Sequence, residues 1–282
     1  MTWLYLSLGT AICYASLNIF SRIVSVNSKN PRALSIAFNL VSTVMAMILL
    51  IFTNSFTNFS LPTKTEAWVF LLISAFFYGI FERLRFYATK MLDASIYSII
   101  ANTTVVVAFT ISLFLYKETL TLSKLAGSFL ILISLLMIIE KKKSKASFKG
   151  ILIGLIASIA VGIGMGLDKK GAIYFSPEVY NLLLWIFPLV VLYFPGIKIK
   201  EIKDQFNRFF WKIVLLSFFN FVGYYLGLKA FFLADATKVI PVMQLSTIMT
   251  VVAGIFLLDE KKNMSGKFFA GIIAVVGVFL LK

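Results

Sequence analysis

Long apolar runs, cut at nearly regular intervals by short polar links, dominate the pattern along this chain. A helix needs roughly 20 apolar residues to cross a bilayer core. Cutting at charge clusters and Pro/Asn/Ser turns yields about ten such segments: 2–22, 33–53, 66–88, 94–116, 122–140, 148–168, 178–196, 209–232, 236–258 and 265–281. The links leave almost nothing for a soluble domain. The first segment, WLYLSLGTAICYASLNIF, has no basic leader and no small-residue cleavage site, so it is expected to be retained as a membrane helix. The expected fold is an all-α integral membrane protein of about ten transmembrane helices.

Shifting the chain by 142 residues lays 92–123 on 234–265, so that Asp93 meets Asp235, Ala94 meets Ala236, Glu118 meets Glu260 and Ser123 meets Ser265. Beyond a two-residue shift Gly127 meets Gly271, and Asn30-Pro31 falls near Ser176-Pro177, each pair opening the second helix of its half. Apolar helices resemble one another by chance, but these matches fall at turns and helix ends in the same order. The halves are expected at 1–145 and 146–282. Five helices per half is an odd number, so the two would be inverted repeats, an architecture that places a transporter's substrate site at the repeat interface.

Composition agrees. Of 282 residues, 60% are hydrophobic, 16% aromatic and only 14% charged, with a mean hydropathy of +0.94; soluble domains carry about a quarter charged residues. The net charge of +15 comes mostly from links such as KKKSKASFK (141–149) and KIKEIKDQFNR (198–208). There it orients the protein and touches anionic membrane lipids, and no nucleic-acid motif accompanies it. A single cysteine, Cys13, and the absence of histidine exclude an intrachain disulfide, His-based triads and ordinary thiolate or His metal sites. No cofactor is expected.

Charges inside an apolar span are the informative exceptions. In FYGIFERLRFYATKMLDAS (77–95), Glu82 and Arg85 are three apart and share a helix face, with Tyr78 one turn earlier. Arg83 points about 100° away. Two readings stand: a polar cavity wall meeting an anionic or zwitterionic substrate, or side chains snorkelling to headgroups. Under the 142 shift Glu82 falls on Tyr224, Arg83 on Tyr225 and Tyr87 on Lys229, so the halves place different polar groups at one depth. Asn102 aligns with Gln244, with Pro241 one turn before it, and Tyr14 and Asn18 share a face of the first helix. These neutral groups serve either substrate contact or helix adhesion. The pairs Gly162/Gly166 and Gly223/Gly227 are G-x-x-x-G packing motifs; G-x-G-x-G at 162–166, lacking a preceding strand, is not a nucleotide loop. Asp168 with Lys169 and Lys170 is expected as a helix-end charge cluster, and Glu118 and Glu260 as interfacial ion-pair partners.

In FLYKETLTLSKLAG (114–127), FLLDEKKNMSGKFFAG (256–271), FYATKMLDAS (86–95) and KAFFLADATKVIP (229–241), the chain resembles the drug/metabolite transporter superfamily, specifically ten-helix EamA-type permeases. The resemblance covers essentially the whole chain. It implies a multi-pass protein of a prokaryotic plasma membrane, not an enzyme, with a cavity lined by the first, third, fourth, sixth, eighth and ninth helices and the seventh outside. It also implies both termini in the cytoplasm. The Lys/Arg distribution, 17 on one side of the membrane against 7 on the other, places them outside, and the two expectations conflict.

The expected function is a secondary transporter, an exporter, of a small polar metabolite such as an amino acid, working by alternating access. The candidate substrate-binding residues are Glu82, Arg85, Tyr78, Arg83, Tyr14, Asn18, Asn102, Gln244, Tyr224 and Lys229. Glu82 is the candidate carrier if transport is proton-coupled. A phosphorylated or nucleotide-linked sugar is the nearest rival, since Arg83, Arg85 and Lys229 suit phosphate. A multidrug exporter is disfavoured by the excess of basic groups. From other classes stand a membrane-embedded enzyme and a lipid-flipping or scaffold subunit.

Overall fold

A computed structural model describes residues 2–53, 61–116, 121–139, 145–234, 239 and 242–280. Six described helices are long and apolar enough to cross a membrane, and four shorter apolar helices complete the set. α1 (Thr2–Asn27), α2 (Pro31–Phe52) and α3 (Thr65–Met91) are the first three spans. α4 (Ala94–Ala101) and α5 (Thr103–Tyr116) form the fourth, and α6 (Leu122–Ile139) the fifth. α7 (Lys145–Ala172) opens the second half. α8 (Pro177–Ile186) and α9 (Pro188–Tyr193) make the seventh span, α10 (Ile199–Leu233) the eighth, α11 (Leu245–Leu257) the ninth and α12 (Met264–Leu280) the tenth.

Local chemistry explains where these helices begin and break. Pro31 and Pro177 each occupy a first helical position, where the missing N–H costs nothing. Asn30 accepts from Arg32 N and Ala33 N, and Ser176 from Val179 N, satisfying orphan donors of the first turn. Pro188 separates α8 from α9.

The fourth and ninth spans break at matching positions. Asn102 (φ −65°, ψ −17°) closes α4, and Gln244 (φ −72°, ψ −8°) precedes α11. In each case the carbonyl accepts from the amide three residues on, Val105 in one and Thr247 in the other. Glu118, Asp235, Ala236 and Pro241, used in the sequence alignment of the halves, lie outside the described residues.

Packing shows the same duplication. α1 lies along α10 and α3 along α7, the same pair with the halves exchanged. α2 against α10 is matched by α8 and α9 against α3, and α1 against α11 by α7 against α4 and α5. The fourth and ninth spans meet, as do the fifth and tenth, α6 with α12. The glycine motifs supply the close approaches. A Cβ at Gly162 would stand 2.7 Å from Val107 Cβ, one at Gly166 2.7 Å from Ile111 Cβ, and one at Gly223 3.0 Å from Cys13 Cβ.

One segment departs from expectation. The link at 198–208 is helical and continuous with α10, up to a kink at Phe209 (φ −131°, ψ 18°). Its charged residues alternate with Ile202 and Phe206, which pack on the core built around Phe38, Phe86 and Trp185. It is held by Ser28 Oγ to Gln205 Oε1 (2.8 Å) and by a short bond from Asn30 to Glu201. Strong helix formers and an apolar stripe override the link-like composition.

Candidate substrate site

α3 carries the charges Glu82, Arg83 and Arg85 that the sequence sets inside a span, and they divide into two environments. Glu82 and Arg85, each 4% exposed, face inward. Arg85 Nη1 donates to Glu82 Oε1 at 3.0 Å and Nη2 to Ser21 Oγ of α1 at 3.3 Å. The guanidinium lies over the Phe38 and Phe86 rings, 4.8 and 5.0 Å from their centroids, so rings replace water around its faces. Burying either charge alone in hydrocarbon costs several kcal/mol; together they are neutral. One atom is left over: Glu82 Oε2 is buried and has no hydrogen-bond partner among the described residues.

Arg83 turns away from that pair. Its Nη1 donates to Phe194 O at 2.6 Å and Val191 O at 3.3 Å. Arg32 bonds Leu192 O (2.8 Å), Tyr193 O (2.7 Å) and Pro195 O. Two guanidinium groups therefore satisfy the last carbonyls of the seventh span, where positive charge also suits the helix dipole. Lys229 is exposed, its Nζ 4.6 Å from the Tyr225 ring centroid. The three cations proposed for phosphate are engaged in three different places.

Tyr78 faces a group that the sequence reading assigned elsewhere. Its hydroxyl donates to Asp168 Oδ2 at 2.5 Å, and Tyr180 Oη donates to Asp168 Oδ1 at 2.8 Å. Near the end of its helix, the Asp168 carboxylate is thus held by two phenols, and no lysine pairs with it among the described residues. Lys170 is turned onto the Phe70 ring, 5.3 Å from its centroid, and the side chain of Lys169 lies outside the described residues. Half-buried Tyr224 lies within electrostatic range of both Asp168 and Tyr14, and Tyr14 within that of Arg85. A series of polar groups from α7, α3, α10 and α1 thereby runs along the seam between the halves.

The neutral candidates bridge helices. Asn18 Nδ2 donates to Thr250 Oγ1 of α11 at 3.3 Å. Asn102, 1% exposed, donates to Ser98 O (3.1 Å) and Thr247 Oγ1 (3.1 Å), tying the fourth span to the ninth. Gln244 is half-buried at the matching break.

Glu260 does more than pair at an interface. It accepts from Ala94 N at 2.6 Å, Ser95 N at 3.1 Å and, by a short bond, Ser95 Oγ, so it caps α4 across the repeat boundary. Lys267, 2% exposed, reaches Asp93 Oδ2 at 2.9 Å and Glu260 O at 2.8 Å.

The EamA-like transporter family matches the chain twice, over residues 1–140 and again over 148–282. The chain belongs to that family. Its two matched stretches coincide with the two halves that the packing relates to one another. A crystal structure of another protein superposes with a TM-score of 0.62 over 99% of this chain and 95% of its own, at 11% identity, which speaks for the fold. No curated protein matches the chain.

Within this EamA-family chain, sequence reasoning missed Asp168 and Tyr180. Asp168 and Tyr78 are 90 residues apart, and Tyr180 belongs to the helix expected outside the cavity. The expected span ended at Asp168 itself, whereas the helix runs on to Ala172, so nothing in the sequence marked it.

Proposed function

We propose that this EamA-family membrane transporter is a secondary exporter of a small polar metabolite carrying both an amino and a carboxylate group, an amino acid, across the plasma membrane. The observation that carries this reading is the buried Glu82–Arg85 pair with its partnerless Glu82 Oε2. A zwitterion entering beside the pair exchanges one set of ion pairs for another. Its ammonium takes Glu82, its carboxylate takes Arg85 bidentately, and the buried net charge stays zero. A phosphate ester would bring uncompensated negative charge to one paired arginine. Alternating access then consists of the two halves rocking around the seam where these groups lie.

The test is uptake of a panel of labelled amino acids into proteoliposomes containing the full chain, with Glu82→Gln, Arg85→Met and the charge-free double variant Glu82→Gln/Arg85→Gln. Truncating one member of a buried pair costs about 2–5 kcal/mol, so each single variant should transport roughly 30-fold more slowly or worse. The double variant, having no buried charge, should fold and still fail to transport. No flux of any amino acid by the wild type, or flux undiminished in the double variant, would reject the reading. Direction is read in cells: overexpression should lower the accumulation of the transported amino acid.

A further inference from the structure

Asp168 has no use in the substrate reading above. It stands one turn inside the end of α7, and its neighbours set its depth: Ser74 Oγ donates to Gly164 O at 3.4 Å, and a Cβ at Gly164 would meet the Tyr78 ring at 3.1 Å. Ser74 lies nine residues into α3, about 14 Å along its axis. A carboxylate at that level is within the apolar part of the bundle, where an ion normally has a counter-ion. No Lys or Arg pairs with Asp168 among the described residues.

The groups that face it are hydroxyls: the phenols of Tyr78 from α3, Tyr180 from α8 and, further off, Tyr224 from α10, together with the Ser74 hydroxyl of α3. On its own helix Lys170 is turned onto Phe70. α4 and α5, which also pack on α7, contain no Asp, Glu, Lys or Arg. Among the described residues the site therefore has a carboxylate, two phenol donors, a serine hydroxyl and no paired cation. Neutral donors offset part of the desolvation cost and leave the charge in place. A hard metal cation needs about six oxygen ligands, but here both phenols turn their protons toward the carboxylate. A proton needs one oxygen.

We infer that Asp168, held between Tyr78 and Tyr180, is a proton-binding site that loads on one side of the membrane and unloads on the other. On loading, Asp168 Oδ2 gains the proton. Tyr78 Oη, until then the donor, accepts that hydrogen bond and turns its own proton away. One proton enters, one carboxylate becomes a carboxylic acid, and nothing is oxidised or reduced. Glu82, committed to Arg85, does not take this role. Tyr78 stands on α3 one turn from Glu82, so the rigid helix joins the proton site to the substrate pair. This coupling rests on the Glu82–Arg85 reading; the proton site does not.

The experiment is pH-step infrared difference spectroscopy on the full chain in lipid, reading the carbonyl stretch of a protonated carboxylic acid. Exposed carboxyls also contribute to this band, so the reading is the component present in the wild type and in Glu82→Gln, missing in Asp168→Asn and restored in Asp168→Glu. That component should survive in Tyr78→Phe, which keeps the acid. A wild-type spectrum identical to that of Asp168→Asn, or a component lost in Glu82→Gln, would overturn the proposal. A second readout uses pyranine-loaded proteoliposomes facing a gradient of the amino acid panel. A dye response in the wild type and none in Asp168→Asn supports coupling. Amino acid flux without any dye response overturns the coupling, and no flux of any amino acid rejects the substrate reading while the infrared result still decides the site.

Discussion

Replacing Glu260 with Ala removes the tie between the start of the fourth span and the end of the ninth. The carboxylate caps α4 by accepting from Ala94 N and Ser95 N, and losing such a cap to Ala costs about 1 kcal/mol. It is 8% exposed and bears a full charge, and charge-assisted bonds contribute about 1.5–3 kcal/mol. Breaking a buried ion pair can cost about 3–5 kcal/mol. Here Lys267 keeps Asp93 at 2.9 Å and lies 3.8 Å from Glu260, so that figure is an upper bound. The sum is about 2.5–4 kcal/mol, which at roughly 2 °C per kcal/mol for a chain of this size lowers the unfolding midpoint by about 5–8 °C. The assay is thermal unfolding of purified protein in detergent, with Lys261→Ala as control. That lysine's pair with Asp259 is exposed on both sides and should contribute nothing measurable. A Glu260→Ala midpoint equal to that of the control would refute the assignment of the carboxylate as the clamp between the halves.

Three further outcomes are expected. Gly79→Ala would place a Cβ 2.5 Å from Val191 Cβ and should destabilise by about 1–3 kcal/mol; adding Val191→Ala should recover most of the loss, and failure of that rescue in thermal unfolding would count against the contact. Arg83→Ala strips donors from the end of α9 and should lower the unfolding midpoint while leaving apparent affinity for a carboxylate substrate unchanged; weakened affinity would return Arg83 to the binding site. The bias of 17 Lys and Arg against 7 predicts that a reporter active only in the cytoplasm works when inserted between residues 141 and 146 and is silent when fused to Lys282. The reverse pattern would make the family's orientation the correct one.

Features that depend on near neighbours were legible in the sequence. Spans follow from unbroken apolar runs, and the caps at Asn30-Pro31 and Ser176-Pro177 from residue types that fit only the start of a helix. The Glu82–Arg85 pair follows from a three-residue spacing. The repeat was legible as matched helix ends, and the shared break at Asn102 and Gln244 gives it a backbone basis. Features that depend on which helix lies beside which were not. Arg83 and Arg85 are alike in the sequence and two residues apart. One meets a carboxylate on its own helix, while the other meets carbonyls more than 100 residues away. A carbonyl at a helix end has no side-chain signature, so nothing in the sequence marks Arg83 as spoken for.

The same distinction separates the two inward acids. Glu82 attracts notice because its partner is three residues away, and that proximity is what removes it as a free charge. Asp168 was assigned to a helix end because lysines follow it, yet Lys170 turns onto a ring and the tyrosines that hold the carboxylate come from α3 and α8. In a bundle of near-continuous apolar helices, an ionisable group's role is set by whether the fold brings it a counter-ion. Glu82 has one and Asp168 has none among the described residues. On the proposed reading, the paired acid therefore takes a neutral zwitterion, which leaves the charge balance unchanged, and the unpaired acid a ligand that adds a single positive charge.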